Sequence, residues 1–76
     1  MSKNHTIMSI LEIGQTIKTR RKSLGVTQPH LAELADVSIN TLYKMERGVA
    51  NPTLAVVLQI ADVLGLEVIV SVKQPQ

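Results

Sequence analysis

The polar side chains best placed for chemistry cluster between Gln28 and Asn51. Asn40 and Lys44 stand four residues apart, which puts them on one face if the segment is helical. An Asn amide can make paired hydrogen bonds to an adenine edge, and a Lys ammonium can reach O6 or N7 of guanine. Ile39 forms no side-chain hydrogen bond; it either packs on a thymine methyl or helps to pack a turn. Tyr43 either stacks on a sugar and donates to a phosphate, or is an ordinary surface residue over neighbouring helices. Catalytic chemistry has no comparable support. Ser, His and Asp occur, but in no spacing that would activate a nucleophile. His5 and His30 are isolated, so no metal set forms, and no Gly-rich phosphate loop is present. The expectation is a non-enzyme with no cofactor and no metal.

Four helices are needed to position these residues. From Ile10 the pattern is helical: Ile10, Ile13, Ile17, Arg21 and Leu24 recur every three or four residues, Ser9 can cap the start, and Gly25 can stop the end. Thr27 can cap a second, short helix with Pro29 in its first turn and Leu31, Leu34 and Ala35 facing inward. Asp36 stands where the chain must turn, and Asp tolerates a left-handed backbone better than most residues. Ser38 can cap a third helix that turns Leu42 and Met45 inward, with Val37 before it, and ends at Gly48. Ile39, Asn40, Thr41, Tyr43 and Lys44 then point mostly outward. Asn51-Pro52-Thr53 is a turn and helix-start signal, and a fourth helix is expected from about Thr53 to Leu64, before Gly65.

Two short helices joined by a tight turn, the second capped and facing solvent, form a helix-turn-helix unit. The first of the pair crosses a phosphate backbone, where its free N–H groups and capping side chains, such as Thr27, can hold a phosphate. The second is presented to a major groove ~12 Å wide. Charge fits this reading modestly. The net charge is only +2, but Lys18, Arg20, Arg21 and Lys22 make up half of the eight basic residues and suggest either a patch for a polyanion or a solvated helix face.

Arg21 calls for a different reading. It stands on the apolar stripe of the first helix, and a buried charge needs a partner. Glu46, at the inward end of the third helix, is the obvious one. Arg21 and Glu46 are therefore expected to form a structural ion pair, which would also bring Arg21 near a DNA backbone.

With 76 residues, one Tyr and no Phe or Trp, the chain is one domain with an aliphatic core. Such a domain buries only ~60–65% of its unfolded surface and gains from added burial. It has no cysteine, which fits a reducing, cytoplasmic setting. The longest apolar run, Leu54 to Leu64, is too short for a bilayer, and the start has no secretory h-region. Residues 1–8 read as a loose leader, in which His5 is incidental. Residues 9–66 read as the domain, and residues 67–76 as a dimerisation strand and tail.

The fourth helix carries more apolar surface than one core needs. Leu54, Val57, Leu58, Ala61 and Leu64 supply a core face; Val56, Ile60 and Val63 supply a second face, expected at an interface. The β-branched run Glu67–Val72 reads as a strand without a partner in its own chain. Pairing with its copy would satisfy it, with Val68, Ile69, Val70 and Val72 at the interface. The expectation is a homodimer with two recognition helices ~34 Å apart on a near-palindromic operator.

The stretch from Ile13 to Leu66 resembles the Cro/C1-type, or xenobiotic-response-element, helix-turn-helix family. The resemblance is carried by Leu24-Gly25-Val26-Thr27-Gln28, Leu31-Ala32, Val37-Ser38, Leu42, Met45-Glu46-Arg47-Gly48 and Asn51-Pro52. It implies an all-α, compact four-helix lambda-repressor-like domain that binds double-stranded DNA as a transcriptional regulator, most often a repressor. It also implies the Arg21–Glu46 pair. Gln28 matches the family's phosphate-contacting Gln; Ile39, Asn40 and Lys44 match base-facing positions, flanked by Tyr43 and Thr41. Arg47 and Asn51 match backbone-phosphate positions, with Thr27, Ser38, Thr41 and Arg21 as further phosphate candidates. Asp36 departs from the family's usual Gly, and Ile39 from an often polar position. A domain followed by such a strand is similar to the HipB-like antitoxin subgroup, which implies autorepression of an operon and a HipA-like kinase toxin as partner.

Overall fold

Helices start in this chain where a side-chain oxygen can take an orphaned amide. Ser9, Thr27, Ser38 and Thr53 each have extended backbone and accept from the amides of Glu12, His30, Thr41 and Val56. At Ser9 the arrangement is reciprocal, because the Glu12 carboxylate accepts from the Ser9 amide at 2.8 Å. The helices that follow are α1 (Ile10–Ser23), α2 (Gln28–Ala35), α3 (Ile39–Glu46) and α4 (Leu54–Leu64). The computed structural model describes residues 9–72; the leader assigned to 1–8, including His5, and the tail end at 73–76 lie outside the described residues.

The turn between α2 and α3 is set by Asp36, whose φ of 58° and ψ of 45° put an L-residue in the left-handed region. Its amide returns to the carbonyls of Ala32 and Glu33. A left-handed L-residue carries steric strain that glycine lacks. Asp36→Gly is therefore expected to raise stability by about 1 kcal/mol, seen as a higher urea midpoint; a lower midpoint would contradict this.

α1 packs on α3 and α4, and α2 packs on the same two helices. Between them lies an aliphatic core whose largest fully buried side chains are Leu31, Leu42, Met45, Ile60 and Leu64. Ile17, Ala32 and Ala35 complete it, with Ile13, Val26, Val37, Val56, Val57 and Val63 packed around them.

The α1–α3 crossing depends on Gly14. A Cβ there would lie 2.0 Å from the Met45 carbonyl oxygen and 3.0 Å from its carbon, both of them backbone atoms. Ala is the better helix former by ~1 kcal/mol, yet Gly14→Ala is expected to destabilise by about 1–3 kcal/mol because two helices must move apart. Urea unfolding checks this, and an unchanged or higher midpoint would contradict it.

Several inward assignments need correction. Ile60, assigned to the exposed second face of α4, is fully buried and unavailable to a partner, while Leu58 is 46% exposed. Val56 and Val63 are half-buried against the core. Leu54 shares a side with Ala61 but sits in the first turn and is exposed. The physical reason is that α4 is apolar nearly all round, so its own sequence marks no single stripe, and contact with α1 and α2 decides. Leu34 and Leu24 are also exposed, and Ala32 takes the inward place in α2. Residues 67–72 form no ladder within the single chain.

Candidate nucleic-acid interface

The outward side of α3 is built by its cap and its core contacts together. Leu42, Met45 and Glu46 are buried, which turns Ile39, Asn40, Tyr43 and Lys44 to solvent. Ile39 and Tyr43 are about half exposed, at 48% and 47%. Ser38 fixes the start of the helix. Its hydroxyl accepts from the Thr41 amide at 3.0 Å and donates to Thr41 Oγ1 at 2.7 Å. The Thr41 hydroxyl proton is left to donate outward from a half-buried position. At the other end, Arg47 donates to the Tyr43 hydroxyl oxygen at 3.3 Å, and its guanidinium lies 5.4 Å from the ring centroid. The phenol proton stays available.

Behind this face is a buried polar network. Arg21 Nε donates to Glu46 Oε2 at 2.7 Å and its NH2 to Glu46 Oε1 at 2.9 Å, a bidentate pair in which the residues are 7% and 5% exposed. Arg21 NH1 donates to the Val26 carbonyl at 2.9 Å. Three of its five N–H groups are thus committed, and any phosphate contact by Arg21 must use the remaining two. Gln28 Nε2 donates to Glu46 Oε1 at 2.9 Å, so the first residue of α2 is tied to the last of α3. Burial pushes the Glu46 carboxyl up. Hydrogen bonds from Arg21 and Gln28, and the charges of Arg21 and Lys18, outweigh that and hold it below the usual carboxylate range. The hydrogen bond to Glu46 in turn holds Arg21 above its ordinary value despite burial.

Sequence reasoning found the Arg21–Glu46 pair but missed Gln28 as its third member. It also grouped four cations that the helix separates. At ~100° per residue, Arg20 points away from Lys18, and its Nε donates at 2.8 Å to the carbonyl of Leu64 at the end of α4. Arg21 is internal, whereas Lys18 and Lys22 are exposed. Helical periodicity was the signal that could have divided them. Thr27 and Asn51 are exposed at the starts of α2 and of the α4 turn, on the elements expected for phosphate contact.

A profile of the helix-turn-helix family matches residues 17–69. The chain belongs to the Cro/C1-type helix-turn-helix family. Among curated relatives, it is 40% identical over 58 residues to the immunity repressor protein of Bacillus phage phi105, covering 76% of this chain and 40% of the repressor. It is 41% identical over 51 residues to an uncharacterized HTH-type transcriptional regulator of Methanothermobacter thermautotrophicus, covering 67% of this chain and 74% of that protein. The chain thus spans less than half the length of the phage repressor, and 18% of a regulator from Methanocaldococcus jannaschii that it also resembles. Among solved structures, the biofilm master regulator SinR in complex with DNA aligns with a TM-score of 0.69 and 36% identity, over 72% of this chain and 89% of SinR. The restriction-modification controller protein C.AhdI from Aeromonas hydrophila aligns with a TM-score of 0.73 and 29% identity, over 76% and 88%.

Proposed function

We propose that this helix-turn-helix domain binds double-stranded DNA sequence-specifically and represses transcription as a homodimer on a near-palindromic operator. The observation that carries this is the outward face of α3: Ile39, Asn40, Tyr43 and Lys44 exposed on a capped helix, with Thr27 and Gln28 at the adjoining start of α2. Asn40 reads adenine, Lys44 reads guanine, Ile39 packs on a thymine methyl, and Tyr43 contacts the flank. Thr27, Gln28, Ser38, Thr41, Arg47 and Asn51 position the domain on phosphates. Similarity to a phage immunity repressor and to SinR, itself solved with DNA, supports the reading.

Dimerisation is supported by apolar surface that the single chain leaves uncovered. Leu54 and Leu58 of α4 and Val68, Ile69, Val70 and Val72 of the tail are all exposed. In this reading Leu54 and Leu58 replace Ile60 at the interface, and the 67–72 segment pairs with its copy. No observation on this chain favours a toxin partner over a second copy.

Selection of bound sequences from a random duplex pool tests the reading. The expected product has two inverted half-sites about one helical turn, ~34 Å, apart. Recovery of unenriched sequences would contradict specific binding, and a lone half-site would contradict the dimer.

A further inference from the structure

We infer that Lys18 of α1, facing Arg47 across the end of α3, seats a backbone phosphate of the bound duplex. The inference rests on the DNA-binding reading above and adds a contact from α1. A groove of about 490 Å³ lies between α1 and the end of α3, lined by Leu11, Gln15, Lys18, Thr19, Glu46 and Arg47. Apart from Leu11 and the carboxylate, the lining is made of hydrogen-bond donors, two of them cationic. Glu46 would repel an anion, but both its oxygens are already held by Arg21 and Gln28. Lys18 and Arg21 thus both act on one carboxylate that a single guanidinium already neutralises, and Arg47 adds a further cation to the groove lining. Lys18 has no hydrogen bond or ion pair among the described residues, although its charge acts on Glu46.

The placement matches a duplex. Asn40, Lys44 and Arg47 follow one another at four and three residues along one side of α3. Arg47 lies about one turn beyond Lys44, past the N-terminal part of the helix that meets base edges. When Asn40 and Lys44 meet base edges, Arg47 reaches the phosphate backbone beside them, and Lys18 lines the same protein groove as Arg47. The ligand is one phosphodiester in each half-site.

Ethylation interference and salt titration on the full chain test this, with the duplex recovered from the random pool as probe. Lys18→Gln should abolish the effect of ethylation at one phosphate per half-site. It should also lower the slope of log affinity against log salt by about 0.9, with base preference and thermal midpoint unchanged, and Lys18→Arg should restore both readouts. An unchanged interference pattern and slope, with wild-type binding intact, would overturn the Lys18 contact alone. A shifted acid limb of unfolding without a slope change would assign Lys18 to Glu46 instead and would equally overturn it. Failure of the wild-type chain to retain any duplex would overturn both readings.

Discussion

Glu46→Ala is expected to cost about 3–5 kcal/mol, against a total stability of about 4–11 kcal/mol for a domain of this length. The change leaves the Arg21 guanidinium buried with only the Val26 carbonyl as partner. It also frees Gln28 and unties α1 and α2 from the end of α3. The chain should unfold at much lower urea and lose duplex binding with its fold. Replacing both partners, as Arg21→Met with Glu46→Leu, should recover most of the stability, because no unpaired charge remains. A single variant as stable as the wild type would show that the pair is not buried in solution. The pair also sets an acid dependence. Because the folded Glu46 carboxyl lies below its ordinary value, its contribution is complete above the unfolded pKa of ~4.3. It is lost as pH falls through the lower, folded value. The double variant should lack this part of the acid limb.

The combined change Asn40→Ala with Lys44→Ala is expected to remove specific binding while leaving the fold intact. Each well-placed base contact discriminates by about 1–3 kcal/mol. Two together amount to about 2–6 kcal/mol, or roughly 30-fold to 10⁴-fold in affinity at 1.4 kcal/mol per decade. What remains is the phosphate-driven, sequence-independent part. Both residues are exposed on α3, and Ala is the stronger helix former, so the thermal midpoint should hold or rise. Equal protection of the same operator by wild type and double variant would show that α3 is not the reader.

Much of the scaffold could be read before any coordinates, because caps are local. Ser9, Thr27, Ser38, Thr53, Asp36 and Gly65 mark helix ends by chemistry that involves only their neighbours in sequence. The inward face of α3 was equally legible, since Leu42 and Met45 contrast with polar neighbours, and Arg21 on an apolar stripe called for an acid. What could not be read depends on a second element. Ile60 and Leu58 are both aliphatic on an apolar helix, and only the positions of α1 and α2 decide which is covered. Gly14 interrupts a good helix pattern, a signal of close approach, but the partner carbonyl of Met45 lies 31 residues away. Gln28 looks outward in its own helix and is turned by a carboxylate from α3. In the proposed dimer the 67–72 segment takes its ladder from a second copy, and a one-chain sequence pattern does not show which strand that would be.

The central claim is that α3 reads bases while the start of α2 holds the backbone. Repeating the random-pool selection with Lys44→Ala and with Gln28→Ala tests it most directly. The account predicts that Lys44→Ala loses base preference at one position of each half-site and keeps the rest. Gln28→Ala should weaken binding to every sequence alike with the preference unchanged. The reverse pattern, or an unaltered preference in Lys44→Ala, would contradict the claim.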